Sequence, residues 1–331
     1  MRTVNARVSV SESLKMHTLR GLRGQGSGVT RPIVFLATRS VSSNMGVGGS
    51  NPSQYCLDLV RRTDNEHYLT NLLLPAALQT DSFAIRAFSS EISGVRDVVS
   101  ERTLGQMRLQ FWRDTVAGLY SDKCPNHPVA VQLYRTIKRH RPSEQLFMNL
   151  IRSREQFLSD KPFNSLDEVG NYGQDAFSSV YLILLELMNN KNGHLKHSVT
   201  QLGQCEGLIT LLRALPYNAS KRRCFLPTQL LSERGLSAEK IIRCDGENVQ
   251  KEIKEVIEII AARAEEHLMN ARFRAKNLKG EEAMVMLPCV SADHYLTRLS
   301  KAGCNVWDKS LHSRNSWLPA SLYWHKFKRT Y

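Results

Sequence analysis

An apolar segment with helical spacing runs from residue 207 to residue 227 and reads GLITLLRALPYNASKRRCFLP. Its leucines recur every three or four residues, which predicts a helix that turns one face to a core. Pro216 predicts the end of that helix, because proline cannot donate a helical hydrogen bond. Phe225-Leu226-Pro227, at the end of the segment, is typical of core packing. The segment therefore predicts a buried helix followed by a packed connection.

The same helical period recurs along most of the chain. In residues 250–276, apolar positions three or four apart alternate with a charged face, and the other segments show similar spacing. Prolines and an Asn/Gly cluster separate the segments. We predict helices at about 53–62, 79–95, 100–120, 128–139, 144–159, 165–190, 195–214, 250–276 and 291–302. Helices of this number and length, joined by short connections, predict an all-α fold: a single helical bundle that encloses a central space.

Two segments resemble the signature helices of the squalene and phytoene synthases, which join prenyl diphosphates inside an all-α bundle of the isoprenoid-synthase type. The family's first pattern, A-F-x-R-x-x-D-D-x-x-D, aligns with AFSSEISGVRD at residues 87–97. Its second, Q-L-x-N-x-x-R-D-x-x-x-D followed after four residues by R-x-Y-L-P, aligns with residues 207–227 without a gap. The resemblance covers most of residues 53–230 and implies the fold of that family.

Most aspartates of the family's patterns are absent from these two segments. Ser93 and Gly94 stand at the first pair of aspartate positions, and Ala214 and Asn218 stand at the second pair, while Asp97 is kept. Departure of a diphosphate requires clustered Mg²⁺, and Mg²⁺ requires oxygen ligands, usually carboxylates. The substitutions therefore predict a pseudoenzyme with no catalytic residue, no metal site and no cofactor.

Four further positions belong to the same surface, and we interpret them as remnants of a former pocket: Arg213, Arg223, Gly207 and Thr210. Gly207 and Thr210 replace the Gln and Asn of the family pattern. Arginine suits phosphate oxygens. Without a metal site, we favour ion pairs with acidic residues across the bundle for Arg213 and Arg223, and we consider the same role for Asp97.

Residues 1–44 are rich in Arg and Ser and contain a single acidic residue, Glu12. This composition is typical of a mitochondrial transit peptide, and a merely disordered basic tail is the alternative. We therefore predict a disordered transit peptide and linker at 1–44, and an isoprenoid-synthase-like domain with an aromatic and basic C-terminal tail at 53–331.

The formal net charge of +14 raises the question of nucleic-acid binding. Residues 1–40 carry seven Arg and Lys against one Glu, a surplus of +6, which leaves +8 for the rest of the chain. No compact basic stripe with interleaved aromatics stands out, so we expect no nucleic-acid partner. The seven cysteines form no zinc-binding or disulfide pattern and predict reduced thiols. No apolar run is long enough to cross a bilayer.

The C-terminal tail combines aromatic and basic residues. Trp317, Tyr323, Trp324 and Phe327 lie close to Lys326, Lys328 and Arg329. Such a stretch can rest on an anionic membrane surface. A terminal helix that docks on the bundle explains the pattern equally well, so both interpretations stay open.

The retained framework and the substituted aspartates resemble a mitochondrial branch of the family, the assembly factors of respiratory complex I. This resemblance implies a non-catalytic role early in the biogenesis of the membrane-embedded subunits, on the matrix side of the inner membrane. It implies complex I subunits or other assembly factors as partners, and peripheral membrane contact. We also consider an isoprenoid lipid in the cavity. The alternatives are a residual prenyl-diphosphate-using transferase and a basic matrix RNA-binding protein.

Overall fold

The computed structural model describes residues 51–99, 101–243, 247–276, 278 and 280–331. The predicted transit peptide lies outside the described residues. Within them the chain is helical and contains no strand, which confirms the predicted all-α class. The α-helices are α1 Pro52–Thr63, α2 Asn65–Leu72, α3 Ala76–Ser93, α4 Val95–Val98, α5 Arg102–Tyr120, α6 Pro128–His140, α7 Glu144–Glu155, α8 Leu166–Gly173, α9 Ser179–Leu187, α10 Gly193–Ser220, α11 Thr228–Ser232, α12 Ala238–Arg243, α13 Glu247–Ala275, α14 Pro288–Lys301 and α15 Leu318–Lys328.

Side-chain caps mark where several helices begin. At the starts of α1, α2, α8 and α10, a side chain accepts a hydrogen bond from a backbone N–H group of the first turn. These side chains belong to Asn51, Asp64, Ser165 and Asn192, respectively. Such caps satisfy donors that have no partner inside the helix. Short 3₁₀ turns at Gln156–Ser159, Gly280–Met286 and Lys309–His312 extend or connect the helices. A π-helical turn at Gln174–Ser178 joins α8 to α9.

Helix α10 is the central helix of the bundle. It packs against α13, α8, α9 and α14. The apolar stripe predicted on α13 is buried, as at Ile253, Val256, Ile260 and Leu268. The predicted period therefore places α13 correctly against the core.

The predicted break at Pro216 is wrong, because α10 continues through this proline to Ser220. An interior proline costs a helix about 3 kcal/mol, since it removes one hydrogen bond and crowds the preceding turn. Leu212 and Leu215, just before the proline, are buried and hold this part of the helix against the core. Ala214 and Asn218 consequently lie one turn apart on a single helix.

The helices α2, α4, α11 and α12 were not predicted, since each has only four to eight residues. Short segments of this kind show too few turns for a period to be recognised. No helix among the described residues is long and apolar enough to span a bilayer.

Candidate functional site

The two aligned segments face each other across one cavity of about 100 Å³. The first segment comprises the end of α3 and the short helix α4, and the second is the C-terminal half of α10. Six of the predicted site residues line this cavity: Ser93, Asp97, Thr210, Ala214, Asn218 and Arg223. The fold therefore brings the corresponding positions of the two patterns together, although they are more than a hundred residues apart in the sequence.

Gly94 divides the first segment. Helix α3 ends at Ser93, and α4 begins at Val95, so Asp97 belongs to a separate turn and not to the middle of one long helix. Gly94 has an ordinary right-handed conformation, with φ −74° and ψ −11°. A Cβ atom at this position would come no closer than 3.5 Å to its neighbours. Nothing in the local geometry requires glycine here.

Asp97 is held by two side chains of the same cavity. Its Oδ1 accepts a hydrogen bond from the Tyr217 hydroxyl at 3.2 Å and lies 3.6 Å from Nη1 of Arg223. The Asp97 carboxylate raises the pKa of Tyr217, although burial of the phenol is the larger cause of that rise. The carboxylate that the chain keeps is therefore engaged by a cation and a hydroxyl.

Arg223 and Arg96 share a second carboxylate, Asp160. Nε of Arg223 lies 3.4 Å from Asp160 Oδ1, and Nε of Arg96 donates to the same oxygen at 3.0 Å. Together with Asp97, these residues form an alternating chain of two cations and two anions. Arg223 thus has the ion-pair role that we favoured from the sequence, and its charge is balanced without a bound anion.

The other polar groups of the cavity do not compensate for the missing carboxylates. The Ser93 hydroxyl donates to the backbone carbonyl of Ser90 in its own helix at 3.0 Å. Ala214 has no polar side-chain atom, and Asn218 is neutral. Among the described residues, no group of three His, Cys, Asp or Glu side chains is arranged to hold a metal ion. This donor set does not fit the Mg²⁺ cluster that the fold family uses.

Arg213 faces a second cavity, of about 140 Å³. Its Nη1 donates to Glu66 Oε2 at 2.9 Å, and its guanidinium lies 4.3 Å from the centre of the Tyr295 ring. Thr210 and Ala214 line both cavities. Arg213 and Arg223, which we interpreted as parts of one pocket, therefore line two different cavities.

Gly207 does not line either cavity, which corrects its assignment to a pocket. A Cβ atom at Gly207 would lie 2.6 Å from Cα and 3.0 Å from N of Gly173 in α8. Gly203, one turn earlier, meets Ser178 in the same way, with only 2.4 Å from a Cβ atom to the Ser178 backbone nitrogen. Glycine at 207 therefore allows the close approach of α10 to α8, and glycine at 203 allows its close approach to the π-helical turn; larger side chains would prevent both contacts.

A buried polar cluster around His67 was not predicted. His67 Nδ1 lies 2.7 Å from Asp64 Oδ2, and its Nε2 lies 3.0 Å from both Glu206 Oε1 and the Tyr181 hydroxyl. Tyr181 donates to the same Glu206 oxygen at 2.7 Å. Only the Asp-x-x-His spacing of residues 64–67, a helix-start pattern, could have indicated part of this cluster.

The charges of the cluster control its protonation. Burial and the Arg86 charge lower the pKa of His67, but the Asp64 and Glu206 carboxylates outweigh them and raise it to about 9. Burial raises the pKa of Asp64, and the charge and hydrogen bonds of His67 bring it down to about 2. His67 is therefore an imidazolium at neutral pH, and it joins α2 to α10 across the core.

The C-terminal helix α15 is docked on the bundle and also presents an exposed aromatic face. Leu318 and Leu322 are buried in a small cluster with Leu287 and Val290. The large side chains on the other side of the helix are mostly exposed: Trp317 at 79%, Tyr323 at 67%, Trp324 at 55% and Phe327 at 77%. The docked-helix interpretation of the tail is therefore confirmed, and contact of the tail with a membrane stays a prediction.

These observations define a class of protein: an all-α bundle of the isoprenoid-synthase type, with two signature segments across one cavity and the metal-binding carboxylates substituted. A family model described as squalene/phytoene synthase matches residues 60–320. The chain belongs to the squalene/phytoene synthase family, which confirms the resemblance seen in the sequence.

The chain is similar in sequence to particular members of this family and in structure to solved proteins. The chain is 35% identical over 312 residues to NADH dehydrogenase (ubiquinone) complex I, assembly factor 6 of Bos taurus, covering 94% of this chain and 92% of the relative. Identity to the Homo sapiens protein of the same name is 36% over 293 residues, covering 88% of this chain and 87% of the relative. Among solved structures, a dehydrosqualene synthase in complex with ligand matches with a TM-score of 0.71 at 15% identity, over 84% of this chain and 95% of that chain. The last likeness concerns the fold alone.

Proposed function

We propose that this chain is a non-catalytic assembly factor for mitochondrial respiratory complex I, acting early in the biogenesis of its membrane-embedded subunits. The relatives with the assembly-factor name, similar over nearly the whole chain, support the role. The absence of catalysis is proposed from one observation in the cavity between the signature segments. Asp97, the single aspartate kept from the family patterns, already accepts a hydrogen bond from Tyr217 and pairs with Arg223. A heterolysis that needs clustered Mg²⁺ has no ligand set there.

Cavity size supports the same proposal. Pockets for small-molecule ligands usually measure about 300–1,000 Å³, whereas the cavity between the signature segments measures about 100 Å³. A prenyl chain would therefore have to displace core side chains in order to enter. The prediction of an isoprenoid lipid in this cavity gains no support from its volume.

Calorimetry tests the loss of catalysis. We expect no Mg²⁺-dependent heat when farnesyl diphosphate is added to the protein that lacks residues 1–44. Binding that needs Mg²⁺ and is lost in Asp97→Asn would contradict the proposal and support the prenyl transferase alternative.

A complementation experiment tests the assembly role. In human cells without their own assembly factor 6, we expect this chain to restore complex I on native gels. Asp97→Asn, whose amide oxygen can still accept the Tyr217 hydrogen bond, should restore it equally well. If Asp97→Asn folds with an unchanged melting temperature but restores nothing, the site has a chemical task and the non-catalytic proposal is wrong.

We further propose a peripheral location on the matrix side of the mitochondrial inner membrane, with complex I subunits or other assembly factors as partners. The transit-peptide composition of residues 1–44 and the exposed aromatic face of α15 support the location. Release of the protein from mitochondrial membranes by alkaline carbonate, together with protection from protease in intact mitoplasts, is the expected result. Proximity labelling in the same cells should identify the partners.

A further inference from the structure

A groove beside α15 remains unexplained by the assembly role. It has a volume of about 540 Å³ and lies between the 3₁₀ turn Gly280–Met286 and one side of α15. This volume falls within the usual range for small-molecule sites, about 300–1,000 Å³. The groove is therefore large enough for a ligand, unlike the two cavities along α10.

The lining of the groove is amphipathic. One wall of the groove is apolar and consists of Met284, Leu287, Tyr323 and Phe327. Two cations also line the groove: Lys326, which belongs to α15, and Arg329, which directly follows this helix. Lys326 donates to the Leu73 carbonyl at 2.9 Å. An ammonium group has three donors, so Lys326 can keep this bond and still bind an anion.

The charge of the surrounding segment has one sign. No acidic residue follows Asp308, while residues 309–331 contain five cations: Lys309, Arg314, Lys326, Lys328 and Arg329. The groove itself is lined by one acidic residue, Glu281, and by two basic residues, Lys326 and Arg329. The segment therefore complements an anionic surface.

The aromatic side chains indicate what kind of anionic surface this is. Trp317, directly before α15, and Trp324, within it, are both exposed, and the Lys328 ammonium lies 4.4 Å from the centre of the Trp324 ring. Trp and Tyr favour the headgroup level of a bilayer, where an apolar ring meets water, and basic residues beside them add attraction to anionic lipids. Exposed aromatic rings beside basic residues on one terminal helix are the combination that lies at a lipid headgroup layer.

We propose that the groove between residues 280–287 and α15 binds one anionic phospholipid of a membrane surface. The phosphate lies at Lys326 and Arg329, and the first part of an acyl chain lies along Tyr323, Phe327 and Met284. Trp317 and Trp324 then enter the headgroup layer beside the bound lipid. This proposal rests on the peripheral membrane location proposed above and names the surface that makes the contact.

Vesicle flotation with the full domain tests the proposal. We expect binding to phosphatidylcholine vesicles that contain about one-fifth phosphatidylglycerol and little binding to pure phosphatidylcholine. Each cation at the membrane contributes about fivefold in affinity, so Lys326→Gln with Arg329→Gln should weaken binding about 25-fold. The matched control, Lys309→Gln with Arg314→Gln, removes the same charge from the same acid-free segment but outside the groove, and should weaken binding by less than about threefold.

Native mass spectrometry adds the stoichiometry. One phosphatidylglycerol molecule should remain bound to the wild type and be lost in Phe327→Ser, while Trp317→Ser, an equally exposed position outside the groove, should keep it. Equal weakening by the groove and control charge variants, or displacement of the lipid by millimolar inorganic phosphate, would overturn the proposal. Vesicle binding does not involve complex I, so a failure to bind vesicles would contradict the lipid proposal and not the assembly proposal. A failure of complementation would contradict the assembly proposal and not the lipid proposal.

Discussion

Replacing Gly207 by Ala tests whether close packing, and not a lost catalytic group, explains the glycine at this position. The added Cβ would meet the Gly173 backbone at 2.6 Å, a distance that forces α8 or α10 to move. Overpacking of a well-packed core costs about 1–3 kcal/mol, and contact with backbone on both helices favours the upper end. Alanine regains about 1 kcal/mol through its higher helix propensity. We therefore expect Gly207→Ala to lower the free energy of unfolding by about 2 kcal/mol.

A matched control is available in the neighbouring helix. Gly170 also lies inside α8, but a Cβ atom there would meet only the Gln204 side-chain nitrogen, at 3.9 Å. Gly170→Ala should gain helix propensity without a clash and stabilise the protein by up to about 1 kcal/mol. The two variants thus differ by about 3 kcal/mol although they make the same chemical change.

Thermal unfolding followed by circular dichroism measures the difference. One kcal/mol corresponds to about 2–4 °C in a domain of this size class, so Gly207→Ala should melt about 4–8 °C below the wild type. Gly170→Ala should melt at or slightly above the wild-type temperature. Equal melting temperatures for the two variants would refute the packing explanation of Gly207.

Three further predictions concern charges. The folded-state pKa of His67 is raised to about 9, so its stabilisation is complete below the unfolded value of about 6.5 and is lost as the pH rises through 9. Urea unfolding should show a loss of about 3 kcal/mol over this window, and His67→Gln should remove that slope. Arg213→Met, which breaks the ion pair at 2.9 Å and the contact with the aromatic ring, should cost about 1–2 kcal/mol in the same assay. The triple variant Ser93→Asp, Ala214→Asp and Asn218→Asp adds carboxylates to the cavity and should bind Mg²⁺ in calorimetry, yet form no prenyl product, because about 100 Å³ leaves no room for the substrates.

The sequence predicted the parts of the fold that depend on local period and on the aligned patterns. The apolar stripe on α13 repeats over many turns, so the face predicted to be buried is the buried one. The gapless alignment of residues 207–227 correctly placed Ala214 and Asn218 at the same cavity as Ser93. Pro216 misled the helix boundary because core contacts outweighed a local preference, which no local signal reveals.

The contacts around His67 and Gly207 were beyond the reach of the sequence because their partners are distant along the chain. His67 and Glu206 are 139 residues apart, and nothing in either segment marks them as a pair. Gly207 was interpreted through the family pattern as a lost side chain, and only the approach of α8 shows that no side chain fits there. Side-chain identity at a motif position therefore predicts which chemistry is missing, but not which contact replaces it.

The two kinds of substitution in the signature segments have different structural consequences. At Gly94 a side chain would fit, since a Cβ atom meets nothing closer than 3.5 Å, so replacing the aspartate there removes charge without changing the packing. At Gly207 the backbone of α8 fills the space that a glutamine would need. Restoring the carboxylates of the cavity adds ligands for a metal ion but leaves the cavity volume at about 100 Å³. The triple aspartate variant therefore separates the loss of the metal site from the lack of space for a substrate. The helical bundle stays well packed without the metal-binding carboxylates and without space for a substrate, so its outer surfaces remain available for binding. The groove beside α15 is a surface whose amphipathic lining indicates a ligand.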